Sequence, residues 1–197
     1  MSTVPGQPLV VIVAGPNGAG KSTAAPHLLR DALEVSEFVN ADTIAAGLSA
    51  FRPETVAMAA GRMLARMREL AAVRADFAFE TTLASRSFAP WLAGLRRDGY
   101  YVHLVFLWLR SAALAVNRVA ERVQAGGHNV PVAVVRRRYK AGLVNLFRLY
   151  IPLADSWQLF DNSEPLGPQP IAAGEGIAVQ TVRNANVWQK LKESFDG

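Results

Sequence analysis

Near the amino terminus, Gly15-Pro16-Asn17-Gly18-Ala19-Gly20-Lys21-Ser22 have the residue types and spacing needed to hold a nucleoside triphosphate. Glycines at 15, 18 and 20 let successive backbone N–H groups turn inward and form a nest for the α- and β-phosphates. A helix opening near Lys21 adds the positive end of its dipole, and the Lys21 ammonium is expected to face solvent and meet the β- and γ-phosphates. Ser22 offers a hydroxyl to Mg²⁺, and Thr23 is placed to close on the α-phosphate. Transporter-type ATPases use the same wording. They also carry a Leu-Ser-Gly-Gly-Gln segment and an acid after a four-apolar strand, whereas here the apolar run Leu-Val-Phe-Leu-Trp-Leu ends in Arg110. That class is excluded.

Two acids stand where strands should end. Asp42 follows Phe38-Val39-Asn40-Ala41, and ligands of open α/β sheets sit at the carboxyl edge of the strands. There it could accept the proton of an attacking hydroxyl, or simply cap the helix starting at Thr43. Glu80 closes Phe77-Ala78-Phe79, followed by Thr81 and Thr82. A carboxylate ending a buried strand needs a partner: a substrate hydroxyl, the outer shell of Mg²⁺, or a nearby arginine. Arg118 and Arg122 lie one helical turn apart and share a face. Beyond Gly126-Gly127, the run Arg136-Arg137-Arg138 cannot point one way, so some of it reaches the phosphates and the rest solvent. On a mobile lid such arginines would neutralise the transferring phosphoryl group. His128 reads as a structural hydrogen-bonding residue, and His27 and His103 as ordinary positions.

These residues need a scaffold, and the chain supplies the pattern of one. Its 197 residues suit a single domain with a buried core. Half are hydrophobic, which excludes general disorder. With no cysteine there is no disulfide framework or thiolate metal site. No apolar run approaches a membrane span, and Met1–Pro8 lacks the basic-then-apolar order of a secretory signal, so a cytoplasmic protein is expected. The net charge of +5 is uneven: residues 101–154 hold eight Arg or Lys against Glu121, a local +7 that leaves −2 elsewhere. Such a patch favours an anionic partner.

Apolar runs at 9–14, 37–40, 76–80, 101–109 and 157–161 read as strands, and the segments between them as helices, giving alternating α/β order. The expectation is a P-loop NTPase fold: a parallel five-stranded sheet flanked by helices, with a helical lid at about 111–150 between strands four and five. Helices are expected from Lys21 to about Leu33, Pro53 to Arg74, Phe88 to Asp98, Ser111 to Ala125 and Pro131 through Leu149. A hairpin around Gly174-Glu175-Gly176 and a terminal helix complete the chain. No second domain is expected in 1–197.

Taken together, these motifs resemble the zeta-toxin family of P-loop kinases, in its small chromosomal branch. The resemblance rests on the glycine loop, Asn40-Ala41-Asp42-Thr43-Ile44-Ala45, Phe79-Glu80-Thr81-Thr82-Leu83, Arg122-Val123, Gly126-Gly127-His128-Asn129-Val130-Pro131, and Arg137-Arg138-Tyr139 leading to Asn145-Leu146. It covers roughly residues 9 to 162 in order. It implies an ATP-dependent (or GTP-dependent) kinase using Mg²⁺, acting on a sugar hydroxyl such as that of UDP-N-acetylglucosamine. By motif, Lys21 would bind phosphates, Asp42 would be the general base, and Glu80 with Thr81 and Thr82 would contact substrate. Arg118, Arg122 and Arg138 would stabilise the transferring group. A protein antitoxin would be a possible partner. Two other readings remain: a polynucleotide 5′-kinase whose lid tracks a nucleic-acid backbone, and a nucleotide-dependent protein-binding module. Aromatics Tyr139, Phe147 and Tyr150 at core spacing make nucleic acid the less favoured partner.

Overall fold

A run of β-branched residues with no polar position can lie only where both faces of a sheet are covered. Strand β1 (Leu9–Ala14) is buried along its whole length and lies in the interior of the sheet. The computed structural model describes residues 6–27, 29, 33–41, 44 and 53–196, with the side chains of 53–57, 60 and 194–196 outside the description. In order along the chain follow helix α1 (Lys21–His27), β2 (Glu37–Val39), α2 (Pro53–Ala72), β3 (Phe77–Thr81), α3 (Phe88–Arg97) and β4 (Tyr101–Trp108). Next come α4 (Ala112–Gln124), α5 (Val132–Asn145), a π-helical turn (Leu146–Tyr150), a last helical turn (Ile151–Leu153), β5 (Ser156–Asp161), β6 (Gln169–Glu175), β7 (Ala178–Val182) and α6 (Ala185–Asp196).

The expected five parallel strands are present, in the order β2-β3-β1-β4-β5, but the sheet has seven. The hairpin adds β6 antiparallel to β5, and β7 antiparallel to β6. It extends the same sheet because β5, last of the parallel set, leaves a free edge that the returning chain can pair. Since β1 is flanked by β3 and β4, chain connections depart to both sides of it, and a crevice opens beyond its carboxyl end.

The helices bury apolar faces at helical spacing: Met63, Met67 and Leu70 on α2, Leu92 and Leu95 on α3, Ala115 and Val119 on α4. Helix α1 is described over Lys21–His27 with Pro26 inside it; residues 28 and 30–32 of the helix expected to about Leu33 lie outside the described residues. Under β3, Phe77 and Phe79 pack against Trp91, with Tyr100 and Phe88 completing an aromatic layer. His103 is buried against Ser156, Nδ1 to Oγ 2.7 Å, and burial pushes its pKa down to about 4. It is a neutral core residue near the amino-terminal end of β4, away from the carboxyl edge of the sheet. No helix among the described residues is long and apolar enough to cross a membrane.

The C-terminal helix is tied to the sheet by aromatic rings. Trp188 of α6 stacks on Trp157 of β5 at 6.0 Å between centroids and lies 5.9 Å from Phe147 of the π turn. Trp188→Ala should therefore lower unfolding stability by about 1–3 kcal/mol, less than the roughly 3–5 kcal/mol for a fully buried tryptophan. Urea denaturation measures it, and an unchanged free energy would mean that α6 lies outside the cooperative unit.

Candidate active site

The glycine loop joins β1 to α1 at the carboxyl edge of the sheet. Gly15, Gly18 and Gly20 all have positive φ (145°, 77° and 76°), the conformations that turn backbone N–H groups into one concavity. Gly20 also lies so close to Asn162 that a Cβ there would stand 2.8 Å from its Nδ2. Helix α1 begins at Lys21, and Ala24 N–H donates to Gly20 O at 2.9 Å. Ser22 and Thr23 are exposed to the cleft.

Lys21 does not face solvent. It is 6% exposed, its Nζ donates to Pro16 O at 3.0 Å, and it lies 3.5 Å from Glu80 Oε1. The ammonium folds back over the loop because a carboxylate stands opposite it. In register, Glu80 is paired with Val13, two residues before the loop. Glu80 Oε2 also accepts from Ser22 Oγ at 2.7 Å and from Asn40 Nδ2 at 2.8 Å. Glu80 thus finds a lysine, a hydroxyl and an amide rather than an arginine. Its carboxylate is turned toward the hydroxyl assigned to Mg²⁺. Asn40, 5% exposed, closes the group with a further contact to Ser22 Oγ at 3.3 Å.

Asp42 lies outside the described residues. Before it, Asn40 and Ala41 line the cleft, and Asn40 O accepts from Ile44 N at 3.1 Å. Since Ala41 is already helical, the cap position of that turn falls to Asn40.

The arginines part company. Arg118 donates to Asn162 O at 2.6 Å and Ser163 O at 2.9 Å, so both its arms hold the segment after β5. Asn162 in turn donates to Ala19 O at 2.8 Å, tying that segment to the glycine loop. Arg122 donates to His128 O at 2.8 Å, and its Nε is buried without a partner among the described residues. Both line the cleft as well. Of the triplet, Arg138 faces the cleft while Arg136 and Arg137 are exposed, as a run of three on one helix requires. The segment expected as a lid has two parts. Helix α5 is bonded to strand ends, with Tyr139 hydroxyl donating to Leu109 O at 2.6 Å, whereas the turn between α4 and α5 is largely exposed.

The resulting cleft encloses about 630 Å³. Its lining includes the glycine loop, Arg118 and Arg122, together with Ala41, Met63, Thr81, Thr82, Ser85, Phe88 and Arg138. Sequence reasoning brought Lys21, Ser22, Glu80, Thr81, Thr82 and the three arginines to this place. It missed the roles of Asn40, Asn162, Ser85, Phe88 and Met63. Asn40 and Asn162 were within reach, since both directly follow a strand at the ligand edge. Met63 and Phe88 carry only the signal of a core residue.

Residues 10–143 match the profile of the AAA domain family. A curated protein of Haemophilus influenzae, described as uncharacterized, is 28% identical over 130 residues, 66% of this chain and 91% of that protein. Among solved structures, the AvrRxo1-ORF1:AvrRxo1-ORF2 complex with sulphate ions matches with a TM-score of 0.71 at 18% identity over 94% of this chain, and its form with ATP with 0.70 at 17%. This chain spans 63% of that protein's length. The PezAT chromosomal toxin-antitoxin system of Streptococcus pneumoniae matches with a TM-score of 0.67 at 14% identity, covering 100% of this chain and 81% of that one. At these identities the structural likeness is one of fold. With two thirds of its length under the family profile, the chain belongs to the AAA domain family, and it shares its fold with the AvrRxo1-ORF1 and PezAT structures.

Proposed function

We propose that the protein is a Mg²⁺·ATP-dependent kinase that transfers the γ-phosphoryl group to a hydroxyl of a sugar or nucleotide sugar, UDP-N-acetylglucosamine being the leading candidate. The observation that carries this reading is the lining of the cleft. It joins the phosphate loop to hydroxyl, apolar and guanidinium groups (Thr81, Thr82, Ser85, Phe88 and Arg138), which a pure nucleotide switch would not need. ATP in a structure of like fold is in keeping with it.

In this reading the loop N–H groups and Lys21 hold the β- and γ-phosphates, Lys21 leaving Glu80 to do so. The residues fit a hard cation: Ser22 Oγ and the Glu80 carboxylate are oxygen donors 2.7 Å apart at the mouth of the loop. Ser22 would ligate it, with Glu80 and Asn40 orienting the outer shell. When bound, Mg²⁺ neutralises phosphate charge. The acceptor lies against Thr81, Thr82, Ser85 and Phe88. Asp42 takes the proton of the attacking hydroxyl as its oxygen bonds to the γ-phosphorus and the bond to the bridging oxygen breaks, releasing ADP. Arg138 and Arg122 offset the charge of the transferring group. Arg118, committed to two carbonyl groups, shapes the nucleotide end.

The decisive experiment incubates the protein with Mg²⁺·ATP and a panel of nucleotide sugars, free sugars and a 5′-hydroxyl oligonucleotide, with phosphorylated product read by mass spectrometry. The oligonucleotide is included because Arg136, Arg137 and Lys140 form an exposed basic edge beside Arg138. ATP consumed with no acceptor phosphorylated would leave the nucleotide-dependent binding module as the better reading. A protein antitoxin is a further proposal, resting on the toxin-antitoxin neighbour.

Two variants separate the roles. Asp42→Asn should keep its melting temperature and ATP affinity while kcat for the acceptor falls about 10²–10⁴-fold, the scale of positioned proton transfer. Near-normal kcat would move the base elsewhere. Glu80→Gln keeps the shape but not the charge. It should raise the Mg²⁺ concentration needed for half-maximal activity by about 10–100-fold, as losses of outer-shell groups do. Equal Mg²⁺ dependence with a raised acceptor KM would place Glu80 on the substrate instead.

A further inference from the structure

The loop that follows β3 and lines the cleft is held by its carbonyl groups from one stretch of chain. Asn145 Nδ2 donates to Leu83 O at 2.7 Å and Ala84 O at 3.3 Å, and the Tyr150 hydroxyl donates to Ser85 O at 2.7 Å. Gly142 comes so near that a Cβ there would lie 2.5 Å from Thr82 O. Four successive carbonyl groups are therefore turned toward the end of α5 and the π turn, while Thr82 and Ser85 line the cleft. The donors are buried, Asn145 at 4% exposure and Tyr150 at 0%. Burial also pushes the Tyr150 pKa up to about 12, so its hydroxyl keeps the proton it donates.

The loop needs such a hold. Leu83 has φ +55°, a left-handed conformation that a bulky side chain adopts only at a cost, and one that persists where its surroundings over-determine it. Its side chain is fully buried. The π turn explains how two residues five apart serve the same loop. In a regular α-helix they would lie about 140° apart around the axis. The wider i→i+5 turn at Leu146–Tyr150 narrows that angle and swings Tyr150 toward the side of Asn145.

We propose that Asn145 and Tyr150 are positioning residues for the acceptor. They hold Thr82 and Ser85 in the orientation that seats the acceptor hydroxyl, and they have no part in holding the nucleotide. The acceptor half of this inference rests on the kinase reading above; the hold on the loop does not. Neither residue lines the cleft, so an effect on catalysis must pass through the loop.

Three measurements on the full chain test it, using Asn145→Ala and Tyr150→Phe. They are amide hydrogen exchange at residues 82–87, affinity for a fluorescent ATP analogue with Mg²⁺, and kcat and KM for UDP-N-acetylglucosamine or the panel sugar that wild type prefers. Exchange at 82–87 should rise about tenfold or more while exchange in the glycine loop is unchanged. Acceptor kcat/KM should fall about tenfold, mainly through KM, with ATP affinity within about twofold of wild type. Faster exchange with an unaltered acceptor KM would overturn the positioning role. Loss of ATP affinity in step with acceptor kcat/KM would reduce the contacts to general structural ties. If wild type phosphorylates no sugar, the kinase reading fails instead, and unchanged exchange at 82–87 would then sink the hold on the loop by itself.

Discussion

The site is organised around one carboxylate. Glu80 stands at the carboxyl end of β3 with little solvent around it, and a charge so placed must be met by the protein. Three groups from two other segments meet it: Lys21 and Ser22 from the start of α1, and Asn40 from the end of β2. The pairing of Val13 with Glu80 across β1 and β3 brings that carboxylate level with the entry to the glycine loop. The ends of three strands are thereby held in one arrangement. Removing one member of such a group leaves a partly buried charge or donor unmatched, so loop, lysine and acid act as a unit.

A second set of ties closes the cleft from the other side, and here backbone carbonyl groups are the target. Arg118 grips Asn162 and Ser163, and Asn162 grips Ala19 of the loop. Tyr139 takes Leu109, and Asn145 and Tyr150 take the loop after β3. Connecting segments at strand ends expose carbonyl groups that no ladder satisfies, and side chains of α4, α5 and the π turn supply the missing donors. The helical excursion between β4 and β5 is in this way part of the wall of the site. Its longest exposed stretch is the turn around Gly126-Gly127.

The same view reorders the basic segment at 101–154. Read as a charge count it is a single patch. In three dimensions Arg110 pairs with Glu164, Arg118 and Arg122 are occupied by carbonyl oxygens, Arg138 looks into the cleft, and Arg136, Arg137 and Lys140 face water. A guanidinium has five donors in a fixed fork, so it serves as readily to fix a loop as to bind a phosphate. Charge alone does not separate the two uses.

Much of the architecture was legible in the residues because it depends on local patterns. The apolar run at 9–14, the three loop glycines and the helical spacing of Met63, Met67 and Leu70 each act over a few positions, and each element formed where its pattern lies. The acid at the end of β3 marked the ligand edge, since strand direction and side-chain chemistry suffice to place it there. What the chain order does not contain is which distant groups share a partner. That Lys21 turns back onto Glu80, that Arg118 is spent on Asn162 and Ser163, and that Asn145 reaches Leu83 are matters of contact between residues tens of positions apart. The two extra strands fall in the same class, because the hairpin at 169–182 joins the sheet only once β5 has an open edge to offer. Local pattern determined the elements and their chemistry. The pairing of buried polar groups, which depends on which donors and acceptors folding brings within about 3 Å, was decided only by the tertiary structure.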